Sequence, residues 1–135
     1  QGLEAAILAQ KAHAMTDVTG FGLAGHALEM AQASGTALRL DLADVPMFDG
    51  AAALAAAGLR STIYDANRRA VGPMADGQVD APEAVLTFDP QTGGGLLAAL
   101  APKDAMAAVA QIAAAGGAVW TIGTVMEGPP RVVFA

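Results

Sequence analysis

The sequence predicts a single layered domain of the α/β or α+β class. Short strand-like apolar runs alternate with stretches in which apolar residues recur at the 3.6-residue spacing of a helix. The chain has 135 residues, of which 54% are hydrophobic and 15% are charged, and a chain of this size can build one buried core. We therefore expect residues 1–135 to form one ordered domain.

The first part of the chain alternates helix, strand and helix. Residues 3–11 place apolar side chains at helical spacing and predict a short helix. Residues 13–18 predict a strand that runs into the loop TGFG at 19–22. Residues 23–34 follow a 3.6-residue apolar period and predict a second helix, which Gly35 ends in the manner of a C-terminal cap.

The middle of the chain carries weaker signals. Residues 37–42 alternate leucine with charged side chains, the period of a strand with one buried face. Residues 51–57 are alanine-rich and predict a helix, whereas residues 60–69 are polar and interrupted. Residues 72–82 contain two prolines and two glycines with little apolar content, so we expect a mobile loop there.

The last part of the chain predicts four strands and one helix. Residues 84–88 and 96–100 are short apolar runs that predict two strands. A proline at the start and two glycines at the end frame a helix over residues 102–115. Residues 118–126 and 131–135 predict the final two strands, with a proline-containing turn between them.

Composition excludes several classes of function. The net charge is −6 and only seven residues are Lys or Arg, so no basic surface for nucleic acid is expected. The longest apolar run, at 105–115, is too short to cross a bilayer, so no membrane association is expected. The chain has no cysteine, which excludes disulfides, thiolate metal sites and a cysteine nucleophile within it.

Asp17 lies in a stretch suited to metal and phosphate chemistry. The run AMTDVTGFGL occupies 14–23 and continues as AGHALEM. A carboxylate before a glycine-containing loop is a hard oxygen ligand that suits Mg²⁺, and the helix that follows offers N–H groups to an anion. The alternative is that Asp17 and Thr19 only cap this helix, while Gly20 and Gly22 allow a tight turn. Thr16 has the same two alternatives, a cap or a contact with a metal-bound water.

A second glycine-rich stretch, DPQTGGGLL, occupies 89–97. Its glycines, Gly93, Gly94 and Gly95, form either a turn that connects two strands or a concave set of N–H groups that binds phosphate. Spacing alone leaves both interpretations open, because no helix follows directly.

Other polar and aromatic residues are interpreted as structural. His13 and His26 have no third nitrogen or sulfur ligand at metal-site spacing, so a structural role is favoured over a metal pair. Phe88 and Trp120 fall on predicted strands and are expected in the core.

The arginines of residues 60–69 offer a third phosphate-binding possibility. Arg60, Arg68 and Arg69 could form charge-assisted pairs with phosphate. We favour a solvated surface on which they pair with Asp65 and Asp76.

Together the two stretches resemble the characteristic runs of the C-terminal domain of selenophosphate synthetases, the selenide, water dikinases, and the resemblance covers essentially the whole chain. A looser Thr-Asp-x-Thr-Gly-x-Gly pattern is also found in aminoimidazole ribonucleotide synthetase, formylglycinamidine synthetase, thiamine monophosphate kinase and a hydrogenase maturation factor. The full string at 14–22 is similar to the selenophosphate group in particular. One departure is Gly93, which stands where the family's run has serine, so a hydroxyl is missing there.

The resemblance implies an α-β-α sandwich with a mixed sheet and a role in ATP chemistry. The complete enzyme would convert ATP, selenide and water to selenophosphate, AMP and phosphate, with the nucleotide between two domains. Asp17 is the implied Mg²⁺ ligand. The implied contacts to ATP phosphates are Thr16, Thr19, Gly20, Gly22, Thr92, Gly93, Gly94 and Gly95.

The resemblance also implies that this chain is one half of an enzyme. It begins with Gln1 and shows no signal-peptide pattern, so we expect it to start inside a longer protein. In the family, the nucleophilic cysteine or selenocysteine, a lysine and most metal-binding aspartates lie in an N-terminal ATP-binding domain. The expected partners are that domain and, in the complete cytoplasmic bacterial enzyme, a second copy in a homodimer.

Alone, the chain is expected neither to hydrolyse ATP nor to make selenophosphate. Two alternatives remain open at this point. The chain is the corresponding half of an aminoimidazole ribonucleotide synthetase or a thiamine monophosphate kinase, or it is a non-catalytic assembly module.

Overall fold

A computed structural model describes residues 2–135, in which helices and strands alternate along the chain. The helices are α1 Gly2–Ala9, α2 Gly22–Ser34, α3 Ala51–Ala56, α4 Tyr64–Val71, α5 Pro82–Thr87 and α6 Pro102–Ala114. The strands are β1 Ala14–Asp17, β2 Ala37–Leu40, β3 Ala75–Gly77, β4 Leu96–Ala99, β5 Gly123–Met126 and β6 Arg131–Phe134. Short 3₁₀ turns occupy Leu42–Asp44 and Gly72–Met74.

The strands form a mixed α/β arrangement, as predicted. Strands β1 and β4 pair antiparallel as a two-stranded sheet, and β3, β6, β2 and β5 form a four-stranded sheet in that order. In the second sheet, β6 lies parallel to both β2 and β3, whereas β5 runs antiparallel to β2. Both sheets pair strands that are distant in sequence, and the helices provide the connections that such pairing requires.

The main core lies between α2 and the four-stranded sheet. The buried face of α2 is largely alanine, including Ala24, Ala27 and Ala31, which lets the helix backbone approach the strands closely. Phe88 and Phe134 fill the space beyond, with their ring centroids 5.7 Å apart. Each fully buried aromatic or large aliphatic side chain contributes roughly 1.5–3 kcal/mol to stability.

Two predictions from periodicity hold in this core. The second predicted helix coincides with α2, and Gly35 closes it in the left-handed conformation with φ of 65°. Strand β2 buries Leu38 and Leu40 and exposes Arg39, as the alternation indicated.

The prediction of a strand at 84–88 is wrong, because α5 occupies this segment. Pro82 stands in the first turn of α5, where its missing N–H costs nothing. A short apolar run has no period that distinguishes a strand from a buried helix. Phe88 is nevertheless fully buried, as predicted for a core residue.

Three further predictions require correction. Residues 60–69 contain most of α4. This helix buries only Asn67 and Val71 and is otherwise mostly exposed and polar, so its sequence shows no apolar period. The predicted mobile loop contains β3, which pairs with β6. The strand predicted from residue 118 begins only at Gly123, and Trp120 is 56% exposed instead of lying in the core.

Within the described residues, no helix has the length and apolar character needed to cross a membrane.

Candidate functional site

The two glycine-rich stretches of the sequence meet in space. We call residues 17–22 the aspartate loop and residues 89–95 the triglycine loop. Strands β1 and β4 pair so that Asp17 lies opposite Leu96. The ladder continues past the strand ends, because the N–H of Val18 donates to the carbonyl of Gly95 at 2.9 Å. The N–H of Gln91 donates to the carbonyl of Thr19, also at 2.9 Å, so backbone hydrogen bonds join the two loops into one unit.

Gly22 is required where the aspartate loop contacts the start of the triglycine loop. Its φ of +71° lies in the left-handed region that favours glycine. A β-carbon on Gly22 would lie 2.5 Å from the carbonyl oxygen of Thr87 and 2.7 Å from that of Asp89. Any larger residue would therefore push the two loops apart.

Gly94 makes the reciprocal close approach from the triglycine loop. A β-carbon there would overlap the carbonyl oxygen of Val18 and would lie 2.8 Å from the β-carbon of Gln91. The interpretation of this stretch as a simple turn between two strands is incomplete, since the turn follows α5 and packs directly on the aspartate loop.

Thr19 binds a buried histidine instead of capping α2. Its Oγ1 lies 3.1 Å from Nε2 of His26. The residue at the N-cap of α2 is Phe21, and within residues 2–135 no side chain forms a cap hydrogen bond there. The interpretation of Asp17 and Thr19 as mere helix caps is therefore wrong.

His26 has a structural position inside α2. Its side chain is 8% exposed and its ring centroid lies 5.5 Å from that of Phe21. Nδ1 lies 3.0 Å from Oε2 of Glu29, although the two atoms are not aligned as a hydrogen bond. The contact with Thr19 thus connects the aspartate loop to the interior of the helix that follows it.

Asp17 presents its carboxylate on the exposed face of β1. The strand alternates between half-buried and exposed positions, and Asp17 shares the exposed face with Met15. Thr16 lies on the other, half-buried face, where its hydroxyl donates to the carbonyl of Asp17 at 3.2 Å. The carboxylate is therefore accessible at the edge of the joined loops.

Asp17 fits the role of one magnesium ligand among several. Mg²⁺ prefers oxygen ligands and is commonly held by one or two carboxylates together with waters and substrate phosphates. In the part of the chain that the structure describes, no three His, Cys, Asp or Glu side chains gather at a site that could hold a metal. Asp17 can contribute to such a centre, but these residues do not complete one.

The other predicted phosphate contacts lie along both loops. Gly20, Thr92, Gly93 and Gly95 are exposed, although the carbonyls of Gly20 and Gly95 accept hydrogen bonds from Asn67 and Val18. Gly22 is buried, whereas Thr16, Thr19 and Gly94 are half-buried. The structure brings together the two stretches that carry all eight residues, and their contact with phosphate stays a prediction.

Sequence reasoning missed Asn67, which contacts the aspartate loop and the residue just before the triglycine loop. Its side-chain Nδ2 donates to the carbonyl of Gly20 at 3.0 Å and to that of Phe88 at 2.8 Å. The residue belongs to α4, an element that the sequence did not predict as a helix. The sequence offered one indication. Asn67 stands four residues before Val71, and residues at this spacing lie on the same face of a helix.

The arginines lie outside the two loops, and their partners differ from those predicted. Asp76 pairs with Arg131, and Arg68 lies 3.5 Å from Asp80. Arg60 donates to the carbonyls of Ala55 and Leu59. The predicted pairing of the arginines with Asp65 and Asp76 is therefore wrong.

Comparisons with known proteins identify relatives along nearly the whole chain. The model of the family described as AIR synthase related protein, C-terminal domain, matches residues 2–134. The selenide, water dikinase of Burkholderia ambifaria is 41% identical over 127 residues, covering 91% of this chain and 36% of that protein. That of Rhizobium meliloti is 43% identical over 106 residues, covering 77% of this chain and 30% of that protein. The chain spans about a third of the length of these curated relatives.

Two crystal structures share the fold. A Thermus thermophilus protein superposes with a TM-score of 0.62 at 17% identity, over 98% of this chain and 34% of that one. Thiamine-monophosphate kinase from Stenotrophomonas maltophilia superposes with a TM-score of 0.53 at 23% identity, over 93% and 32%. These similarities support the α/β fold described above.

Proposed function

The chain belongs to the family of AIR synthase related proteins, C-terminal domain, and from that premise we propose that it is the C-terminal domain of a selenide, water dikinase. Curated relatives of that name are about 40% identical to it across most of its length. The complete enzyme would convert ATP, selenide and water to selenophosphate, AMP and phosphate. This chain would supply one wall of the nucleotide site.

The observation that carries the proposal is the union of the two loops. Backbone hydrogen bonds from Val18 and Gln91 fix the aspartate loop against the triglycine loop. The union places an exposed carboxylate beside a run of glycine backbones. Phosphoryl transfer depends mainly on positioning and on neutralising charge, and this surface offers groups for both.

Asp17 would hold Mg²⁺ together with ligands from an N-terminal ATP-binding domain. When bound, the metal neutralises negative charge on the phosphate oxygens. The exposed glycines of both loops lack side chains that would block a phosphate, so their N–H groups are suited to meet one. Thr19 is held in place by His26, which fixes the middle of the aspartate loop.

Glycine suits the backbone conformation at position 93. Its φ of +68° is left-handed, and no atom lies within 4 Å of the place where a β-carbon would be. Serine would be strained there by backbone conformation alone. We propose that Gly93 acts through its N–H, since it has no hydroxyl to offer.

The complete protein is proposed to be a cytoplasmic, bacterial homodimer in which this domain packs on its own N-terminal ATP-binding domain. The similarity to thiamine-monophosphate kinase is one of fold at low identity, so it does not favour that activity for this chain. A non-catalytic assembly role is disfavoured, because an assembly surface does not require the close glycine contacts that join the loops.

A chimeric enzyme tests the proposal. The C-terminal third of the Burkholderia ambifaria enzyme is replaced by this chain, and phosphorus NMR follows ATP, selenide and water. We expect selenophosphate and AMP from the chimera and none from the truncated enzyme without the chain. A chimera that binds Mg²⁺ and ATP no better than the truncated enzyme would instead support an assembly module.

A further inference from the structure

We infer that Asn67 is a positioning residue that holds the aspartate loop and the triglycine loop at a fixed separation. Asn67 would have this role whatever reaction the protein catalyses, whereas its consequence for ATP binding rests on the proposed function above.

Both N–H donors of the Asn67 side chain form hydrogen bonds. A side-chain amide nitrogen carries two N–H donors, and in Asn67 one points to the carbonyl of Gly20 and the other to that of Phe88. Both distances, 3.0 and 2.8 Å, are those of ordinary hydrogen bonds. Asn67 is 7% exposed, so water has little access to replace either bond.

The two acceptors belong to segments that are distant in sequence. Gly20 lies in the middle of the aspartate loop, and Phe88 is the residue that leads into the triglycine loop. One side chain from a third element therefore connects the two segments. The direct bonds of Val18 and Gln91 join the loops at other points, so Asn67 fixes the remaining freedom near Gly20.

Helix α4 packs against Phe88, and this packing restricts the position of Asn67. The ring of Tyr64 meets the ring of Phe88 edge-on, with centroids 6.0 Å apart. The guanidinium carbon of Arg68 lies 5.2 Å from the centroid of the same ring. Val71, one turn after Asn67, is 2% exposed and packs in the core. Supporting residues whose own positions are locked by packing are those that hold a site precisely.

The test compares Asn67→Asp with a matched control on the same helix. Aspartate has nearly the shape of asparagine, but when ionised it has no donor and would face two carbonyl oxygens. Val71→Ala removes buried apolar volume from α4 without touching either loop. Asn67→Ser, which keeps one donor, is the second variant should the aspartate prevent folding.

Hydrogen exchange in this chain measures the geometry directly. The N–H of Gln91 donates to the carbonyl of Thr19 and that of Val18 to the carbonyl of Gly95, so both bonds cross between the loops and report on whether the loops stay together. We expect the exchange of these two N–H groups to accelerate at least about tenfold in Asn67→Asp, and less in Asn67→Ser. These exchange rates are compared with those in Val71→Ala, under conditions that give the variants equal free energies of unfolding. Equal exchange in the variants and the control would overturn the inference.

Kinetics in the complete enzyme that carries this chain measure the consequence. We expect the KM for ATP to rise about tenfold in Asn67→Asp, with a smaller change in kcat, and to stay near the original value in Val71→Ala. Faster exchange of the two amides with an unchanged KM would support the positioning role and would contradict the proposed use of these loops in ATP binding. The two ideas therefore fail separately.

Discussion

The backbone N–H of Gln91 donates a 2.9 Å hydrogen bond to the carbonyl oxygen of Thr19, although the two residues are far apart in sequence. This bond and the one between Val18 and Gly95 turn two glycine-rich stretches into a single surface. The chemistry proposed for the chain depends on that surface, and each of its close contacts can be tested alone.

Gly22→Ala should destabilise the fold more than Gly35→Ala. Both glycines have left-handed backbones, but only Gly22 faces carbonyl oxygens where a β-carbon would be placed. Backbone strain alone costs about 1–2 kcal/mol at either position. Overpacking adds roughly 1–3 kcal/mol at Gly22. Urea unfolding of the two variants measures the difference, and equal losses would contradict the close approach of Gly22 to Thr87 and Asp89.

Gly94→Ala and Gly95→Ala form a second matched pair. A β-carbon on Gly94 would overlap the Val18 carbonyl, whereas no atom lies within 4 Å of that position on Gly95. We expect Gly94→Ala to lower the free energy of unfolding by about 1–3 kcal/mol. Gly95→Ala should leave it within about 0.5 kcal/mol of the original value. If Gly95→Ala proved the more damaging, the packing of the triglycine loop described above would be wrong.

Thr19→Val should be destabilising because it removes the hydroxyl that pairs with His26. The hydrogen bond is partly buried, and the loss of one partner of such a bond costs about 1 kcal/mol or somewhat more. Thr19→Ser keeps the hydroxyl and should cost clearly less. Thermal unfolding of both variants checks this, and a valine variant as stable as the serine variant would contradict a stabilising role for the contact between Thr19 and His26.

Much of the fold follows from periodicity, and the failures have physical causes. Helix α2 and strand β2 were predictable because each buries one regular face of its apolar side chains. Helix α4 buries only Asn67 and Val71, which is too few for a visible period. Helix α5 is six residues long, and tertiary packing of Phe88 decides its state more than its own sequence does.

The site was predictable in its parts but not in its connections. Asp17 and the three glycines at 93–95 stood out because their residue types suit metal and phosphate. That Gly22 faces Asp89 depends on long-range packing that no local pattern encodes. Thr19 and His26 are only seven residues apart, but their contact depends on how the loop enters α2, which residue types alone do not show. Asn67 was missed because its two acceptors lie in segments distant from it.

The isolated chain should show no turnover with ATP and selenide. One exposed carboxylate does not hold the metal ions that ATP cleavage requires, and the described residues gather no fuller metal-binding group. Phosphorus NMR on the chain with ATP, Mg²⁺ and selenide measures this. Clear formation of selenophosphate or AMP would refute the view that a second domain completes the site.

The most direct measurement replaces Asp17 with asparagine in the complete enzyme that carries this chain. Because Asp17 is exposed, its replacement should leave the free energy of unfolding unchanged. The rate of selenophosphate formation should fall about 100-fold, and the Mg²⁺ concentration that gives half of the maximal rate should rise. Asp49→Asn, which changes another exposed aspartate outside the loops, should leave both values as they were. An Asp17→Asn enzyme with full activity at ordinary Mg²⁺ would contradict the assignment of this carboxylate to the metal.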